Sequence, residues 1–377
     1  MPTGATPERL GALKERVASS RTSSRWLILT HDNPDPDALA AAAGMALLLR
    51  RAFQRTATVA YGGIIGRAEN REMVRCLNFD PLPLRDIRTE NFQHFILADC
   101  QPWTGNTQLP KGVVPEVVID HHPLRLSTTT LPFVDVRPDY GATATIVAEY
   151  LLAASVEIPK KLATGFIYAI LSETRSFSRE ASEPDHSIFD RLLPVSDRRA
   201  LSRIQNARLP LSYFRILHRG LARLQGTANL VVSHLGPVDQ PDIVPEIADL
   251  LLRLEGRTWS LCTGQFENRF YLSIRTTNPR ADAGNLIQRL IGQRGKGGGH
   301  GTMAGGFIPL DQSPGWSAEV LERRLTRRFA LVLGKSPERI QPLNIAPKFA
   351  EPRPEKPDTG SAGANATNAK RESGSVR

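Results

Sequence analysis

Four short apolar runs in the first third of the chain constrain its fold more than any other feature. They are WLILT (26–30), TVAYGG (58–63), HFILAD (94–99) and EVVID (116–120). Runs of this length, without polar alternation, read as strands buried on both faces. Helical periodicity lies between or after them, most clearly over residues 38–51, 68–77, 142–154 and 160–171. Strands alternating with helices predict an α/β domain with a mainly parallel sheet flanked by helices, and ligand sites in such sheets gather at the carboxyl ends of the strands. His31, Asp99 and Asp120 fall at that edge.

The 377 residues are enough for two modest cores. Residues 24–195 are expected to form the first domain, with 1–23 as an N-terminal extension or helix. Residues 196–226 read as an Arg-rich helical connector. A strand (ANLVVSHL), a helix (DIVPEIADLLLRL), a hairpin turning near Glu267 and Asn268, and helices at 283–292 and 318–332 predict a smaller α/β domain over 227–335. A cleft between the two domains is expected. Residues 336–377, rich in Pro, Gly, Ala and Ser, are expected to be a disordered tail.

The formal charge is +10, and residues 196–225 hold seven arginines against one acid, most of that excess. Arginines on a connector predict a cleft border along which phosphates run. The longest apolar run, residues 38–49, is too short to span a bilayer, and the first twenty residues lack the apolar core of a secretory signal. A cytoplasmic protein without membrane contact is expected. Three widely spaced cysteines argue against a disulfide framework or a thiolate metal site.

The stretch HDNPDPD, residues 31–37, would point His31, Asp35 and Asp37 from one tight loop toward a common point. Asp caps helices and Pro suits first helical positions, but one cap needs one acid. Several carboxylates beside an imidazole repel one another unless a cation offsets them, which favours a metal site. Asp99 in LADC is by itself an ordinary turn former. Asp120, His121 and His122 in VIDHHP offer a carboxylate and two imidazoles at a strand end, suited to divalent ions, with a solvated loop as the plainer reading. In KGGGHGTMAGG, residues 296–306, glycines let backbone N–H groups approach an anion, and Lys296 and His300 favour phosphate or nucleotide binding over a merely flexible loop.

HDNPDPDA, LADC, VIDHH and GGGHGTMAGG, in this order and spacing, resemble the DHH phosphoesterase superfamily together with its DHH-associated C-terminal domain, over about nine-tenths of the chain. The chain is similar to the branch of oligoribonucleases and pAp phosphatases. The resemblance implies two manganese ions, with magnesium as the alternative. His31 and Asp35 would hold one, Asp37 and His121 the other, and Asp99 would bridge them. Asp120 would orient a neighbouring histidine, and His122 would face the substrate phosphate. Glu173, in SETRSF, stands where the family pattern has aspartate; it keeps the charge, reaches one methylene further, and is expected to ligate the second ion directly or through water, or else to weaken that site. Arg275 matches the position from which the family's small domain reaches the substrate phosphate, alongside Lys296, Gly298, Gly299, His300 and Gly301.

These features predict a manganese-dependent phosphoesterase acting on short oligoribonucleotides, pAp-type nucleotides or cyclic dinucleotides. A single-strand exonuclease and a catalytically weakened nucleotide-binding regulator are the alternatives. Aromatic residues make up only 6% of the chain, too few to suggest a long stacking track, so a short oligonucleotide or nucleotide is the expected partner. A homodimer is compatible with the sequence.

Overall fold

The computed structural model describes residues 5–178, 181–311 and 317–344. Its first lobe is built on a six-stranded, wholly parallel sheet: β1 (Trp26–Leu29), β2 (Ala57–Tyr61), β3 (Leu82–Pro83), β4 (His94–Ala98), β5 (Val117–Asp120) and β6 (Phe133–Val136). The strand order is β3-β2-β1-β4-β5-β6. The chain therefore runs outward from β1 in one direction, then returns to β4 and runs outward in the other. The reversal opens a crevice between the carboxyl ends of β1 and β4, where an open α/β sheet binds its ligands.

Side chains alternate strictly along these strands. Trp26, Ile28, Ile96, Ala98, Val117 and Ile119 enter one core with α1 (Ala5–Ala18), α2 (Pro36–Ala52), α3 (Ala68–Leu77), α4 (Thr143–Ala153), α5 (Lys160–Glu173) and α6 (Glu183–Leu192). Leu27, Leu29, Phe95, Leu97 and Val118 enter a second core, closed by irregular chain carrying Leu84, Ile87, Phe92, Leu109 and Val113. Helices thus flank one face and loops the other, and burial on both explains the unbroken apolar runs.

The N-terminal segment is part of this lobe rather than an appendage. Leu13 and Val17 on α1 are fully buried, Thr6 donates to Glu149 at 2.7 Å, and Arg9 pairs with Asp135. The connector also divides between the lobes. From α7 (Arg198–Gln205), Ile204 packs into the first core, whereas Tyr213 and Ile216 of α8 (Leu211–Ala222) pack into the second lobe. Three of its arginines are held by protein partners. Arg203 pairs with Glu72, Arg219 bonds the carbonyls of Leu235 and Pro237, and Arg223 pairs with Glu322.

The second lobe holds a seven-stranded sheet in the order β11-β12-β10-β9-β8-β7-β13. Its strands are β7 (Gln225–Thr227), β8 (Leu230–Pro237), β9 (Trp259–Phe266), β10 (Arg269–Thr276), β11 (Lys296–His300), β12 (Met303–Pro309) and β13 (Gln341–Pro342). Only the β8–β9 pairing is parallel. Helices α10 (Ala283–Ile291) and α11 (Ala318–Val332) cover one face; α8 and α9 (Ile243–Leu251) cover the other. Residues 336–344 are not tail, because β13 pairs with β7 and Leu343 N–H donates to Leu224; the rest of the expected tail lies outside the described residues. Among the described residues no helix is long and apolar enough to cross a membrane.

Candidate metal centre

The crevice between β1 and β4 gathers side chains from four segments. After β1, Asp35 caps α2 by accepting from Ala38 N–H at 3.0 Å, and Pro36 occupies the first turn. This is the ordinary capping role, but it engages only one carboxylate. The loop packs under β2's exit so closely that a Cβ on Gly62 would fall 1.8 Å from Asp32 Oδ1.

Asp37, one residue inside α2 and 1% exposed, caps a different helix. Its two oxygens accept from Thr143 N–H and Ala144 N–H, both at 2.7 Å, at the start of α4. His31 donates from Nδ1 to the Asp32 carbonyl at 2.9 Å, since a carbonyl only accepts. Its Nε2 then faces Asp99 Oδ2 at 3.5 Å and Asp35 Oδ2 at 3.6 Å.

Asp99 follows β4 with φ of +60°, a left-handed backbone costing roughly 1–3 kcal/mol for a non-glycine residue unless its surroundings impose it. Its carboxylate is 1% exposed and held by the Thr143 hydroxyl, which donates to Oδ1 at 2.7 Å. Oδ1 lies 3.8 Å from His121 Nε2 and 3.8 Å from His122 Nδ1, while Oδ2 faces His31. One oxygen thus looks toward each histidine group. Two donor triads result, His31–Asp35–Asp99 and Asp99–His121–His122, each with ligand atoms within 4.8 Å of one another.

His121 donates from Nδ1 to the Tyr140 carbonyl at 3.1 Å, which leaves a lone pair on Nε2. That Nε2 is buried without a hydrogen-bond partner, 3.8 Å from both Asp37 and Asp99. A buried polar atom left this way is costly unless something else satisfies it, and a divalent cation fits both the lone pair and the carboxylates around it. Asp120 stands one layer back. Its Oδ1 takes His122 Nδ1 at 2.8 Å and the His121 N–H at 2.9 Å; its Oδ2 takes Gln101 Nε2 at 2.7 Å.

The charges are unbalanced toward the negative. Burial, then the charges of Asp99, Asp35 and Glu173, pushes Asp37 well above the usual carboxylate range. Glu173, at the end of α5, is raised by burial and by Asp35, and it joins neither donor triad. Burial opposes charge on His122, but the hydrogen bond to Asp120 and the charge of Asp99 lift it to about 9. Against burial, the His122 hydrogen bond draws Asp120 down to about 2. Asp37 and Glu173 resist ionising while His122 gathers a proton, which marks their side of the pocket as short of positive charge.

In the second lobe the glycine run is a strand pair rather than an anion nest. Lys296 through His300 pair antiparallel with Met303 through Phe307, turning at Gly301 and Thr302. Gly297 serves close packing on α10, where its Cβ would fall 2.7 Å from Ile291 Cδ1, and Gly284 on α10 would put a Cβ 2.2 Å from the Gly299 carbonyl oxygen; a Cβ on Gly298 or Gly301 would meet nothing within 4 Å. Lys296, Gly298, Gly299 and Gly301 are exposed; the His300 side chain lies outside the described residues. Arg275 is 7% exposed, and its Nε donates to Asp249 on α9 at 2.9 Å.

Sequence reasoning missed Gln101 and Thr143, which hold Asp120 and Asp99, because nothing local distinguishes either residue. It also missed the lobe contact, where Asp242, Glu246 and Asp249 of α9 face Arg67 and Arg175. The 242/246/249 spacing was the available signal, and by itself it reads as a solvated helix face.

Residues 25–170 match the DHH family, N-terminal domain, and residues 227–323 match the DHHA1 domain. An uncharacterized protein of Methanocaldococcus jannaschii is 33% identical over 286 residues, 75% of this chain and 58% of that protein. A probable manganese-dependent inorganic pyrophosphatase of Streptococcus thermophilus is 27% identical over 168 residues, 43% of this chain and 53% of that enzyme. This chain thus spans just over half the length of both relatives. The crystal structure of an exopolyphosphatase-related protein from Bacteroides fragilis shares the fold, with a TM-score of 0.67 at 15% identity over 86% of this chain and 98% of that one.

Proposed function

Because the chain carries a DHH-family N-terminal domain followed by a DHHA1 domain, we propose that it is a metal-dependent phosphoesterase whose substrates are short oligoribonucleotides or pAp-type nucleotides. One observation carries this reading. The buried Asp99 turns one oxygen to His31 and the other to His121 and His122, while His121 Nε2 has no hydrogen-bond partner of its own.

On this reading His31 and Asp35 hold one divalent cation, Asp37 and His121 hold the other, and Asp99 is shared between them. Two such cations lower the pKa of a water and polarise phosphoryl oxygens. The chain's own residues do the rest. Asp120, braced by Gln101, would orient His122 toward the substrate phosphate, and the Thr143 hydroxyl would hold Asp99 as the carboxylate that both cations share. The manganese named for the pyrophosphatase relative supports manganese as the resident ion. Gly298, Gly299, Gly301, Lys296 and His300, with Arg275 beside them, form the second-lobe wall that selects what the phosphate is attached to.

The test is purified protein assayed with manganese or magnesium against a dinucleotide, pAp, a cyclic dinucleotide and a long single strand. Mononucleotide release from the dinucleotide, or phosphate from pAp, supports the reading; exclusive digestion of the long strand refutes it. A second reading, a nucleotide-binding regulator with slow turnover, is favoured by Glu173 standing outside both donor triads. Tight binding without product, restored to turnover by Glu173→Asp, would select it.

A further inference from the structure

The segment that leads into α4 is tied by turns to two places. The Tyr140 carbonyl accepts from His121 Nδ1 at 3.1 Å, and Gly141 N–H donates to Asp185 Oδ2 at 2.7 Å. Thr143 N–H and Ala144 N–H then hold Asp37, and the Thr143 hydroxyl holds Asp99, each at 2.7 Å. Thr145 Oγ1 donates to Asp185 Oδ1 at 2.5 Å. Bonds to the candidate metal ligands at 140, 143 and 144 therefore alternate with bonds to one carboxylate at 141 and 145.

Asp185 stands in the first turn of α6 and is fully buried. A capping box accounts for part of its bonding, since Oδ2 accepts from Ser182 N–H at 2.8 Å and from the Ser182 hydroxyl at 2.6 Å. The cap does not need the bonds to Gly141 and Thr145, nor the burial of a charge, which is costly unless donors surround it. The helix that carries Asp185 is a fixed support: Ile188 and Leu192 enter the first core, and His186 stacks on Phe177 with ring centroids 4.3 Å apart.

The start of α4 lacks a cap of its own. Ala142 at the N-cap supplies no side-chain acceptor, so the first N–H groups of α4 depend on Asp37. Where that helix end stands decides where Asp37, Asp99 and His121 meet, and Asp185 holds it on both sides of Thr143. His31 and Asp35 are held within their own loop instead, by the Asp32 carbonyl and the Ala38 N–H.

We propose that Asp185 is a positioning residue for the metal centre, fixing through Gly141 and Thr145 the spacing of Asp37, Asp99 and His121 while His31 and Asp35 keep their places without it. The proposal rests on the metal-centre reading above, in which Asp37 and His121 hold one cation, His31 and Asp35 the other, and Asp99 is shared. Asp185 touches neither cation nor substrate. Its loss frees every protein ligand of the first cation but only the shared ligand of the second, so the two cations should respond unequally.

Manganese binding is measured by calorimetry on the full chain, and amide exchange by mass spectrometry in EDTA. Asp185→Ala should weaken one manganese constant at least about tenfold more than the other. Thr145→Val, which removes only the donor to Oδ1, should do the same to a smaller extent and carries the test if Asp185→Ala does not fold. Ile188→Ala, which trims core packing on the same helix, should lower Tm and leave both constants alone. In EDTA, Asp185→Ala and Thr145→Val should speed exchange over residues 140–146 while residues 26–36 keep wild-type rates. Equal change in the two constants, or exchange that rises alike over both segments or over neither, overturns the proposal. A wild type that binds no manganese sinks the metal-centre reading alone, because exchange in EDTA still decides whether Asp185 holds this segment. Manganese binding in wild type with unaltered exchange in both variants refutes the role of Asp185 alone.

Discussion

Replacing Asp99 with asparagine separates a metal centre from a buried polar cluster that merely holds the lobe together. The Asn side chain has the same shape, and its Oδ1 still accepts the Thr143 hydroxyl that donates to Asp99 at 2.7 Å. What changes is charge. Asp37 and Asp99 both lie 3.8 Å from His121 Nε2, so their facing oxygens are at most about twice that distance apart. At an effective dielectric of ~20 that repulsion is worth about 2 kcal/mol, less than the attraction to His31 at 3.5 Å and to His122 at 3.8 Å, which is about 4–5 kcal/mol each by the same rule. Without divalent cations the variant should therefore melt below wild type. With them the two should diverge further, because Asp99 belongs to both donor triads. A ligand at a hundred times its dissociation constant stabilises by about 2.7 kcal/mol, which for a domain of this size is a rise of roughly 5–10 °C in Tm. Thermal melts in EDTA and across a manganese titration read this directly. Wild type should show the shift and Asp99→Asn should lose it together with activity. A variant that keeps most of the shift refutes the shared ligand role.

Three further outcomes follow from the geometry. Gln101→Leu removes the donor to Asp120 Oδ2 and should weaken metal affinity or turnover by about 10–100-fold with little change in fold, as read by calorimetry and circular dichroism. Gly62→Ala drives a Cβ to 1.8 Å from Asp32 Oδ1, which the Asp32 side chain relieves by turning aside, so manganese affinity should fall less than in Gln101→Leu. His234 is 3% exposed between Thr263 and Thr326, and burial, then Arg223, lowers its pKa to about 3. Between that value and the unfolded value near 6.5 the unfolded chain binds a proton that the folded chain refuses, so stability falls as pH falls through this window. At pH 5 the loss is about 2 kcal/mol, and His234→Gln should flatten the pH dependence of the urea midpoint over that range.

The local order of this chain was legible because it is written locally. Residues 68–77 and 318–332 carry a helical period that the structure returns without change as α3 and α11, and the apolar runs of β1, β2, β4 and β5 announce strands covered on both faces. Strands β3 and β6 escaped notice, β3 because it is two residues long and β6 because Asp135 in mid-strand breaks its apolar run. The glycine run misled for a related reason: glycine permits a nest or a close-packed strand alike, and only the contact of Gly299 with Gly284 on α10 selects the strand.

The crowding of acids and imidazoles at strand ends is a property of neighbouring residues, so the sequence alone determined that His31, Asp35, Asp99, Asp120 and His121 would stand at one sheet edge. Which of them touches which was decided by packing. Asp37 reaches the N-terminus of α4, more than a hundred residues away, and Asp249 comes to lie between an arginine from each lobe. Such pairings depend on where folded elements stop against one another, and no short window of residues encodes that distance.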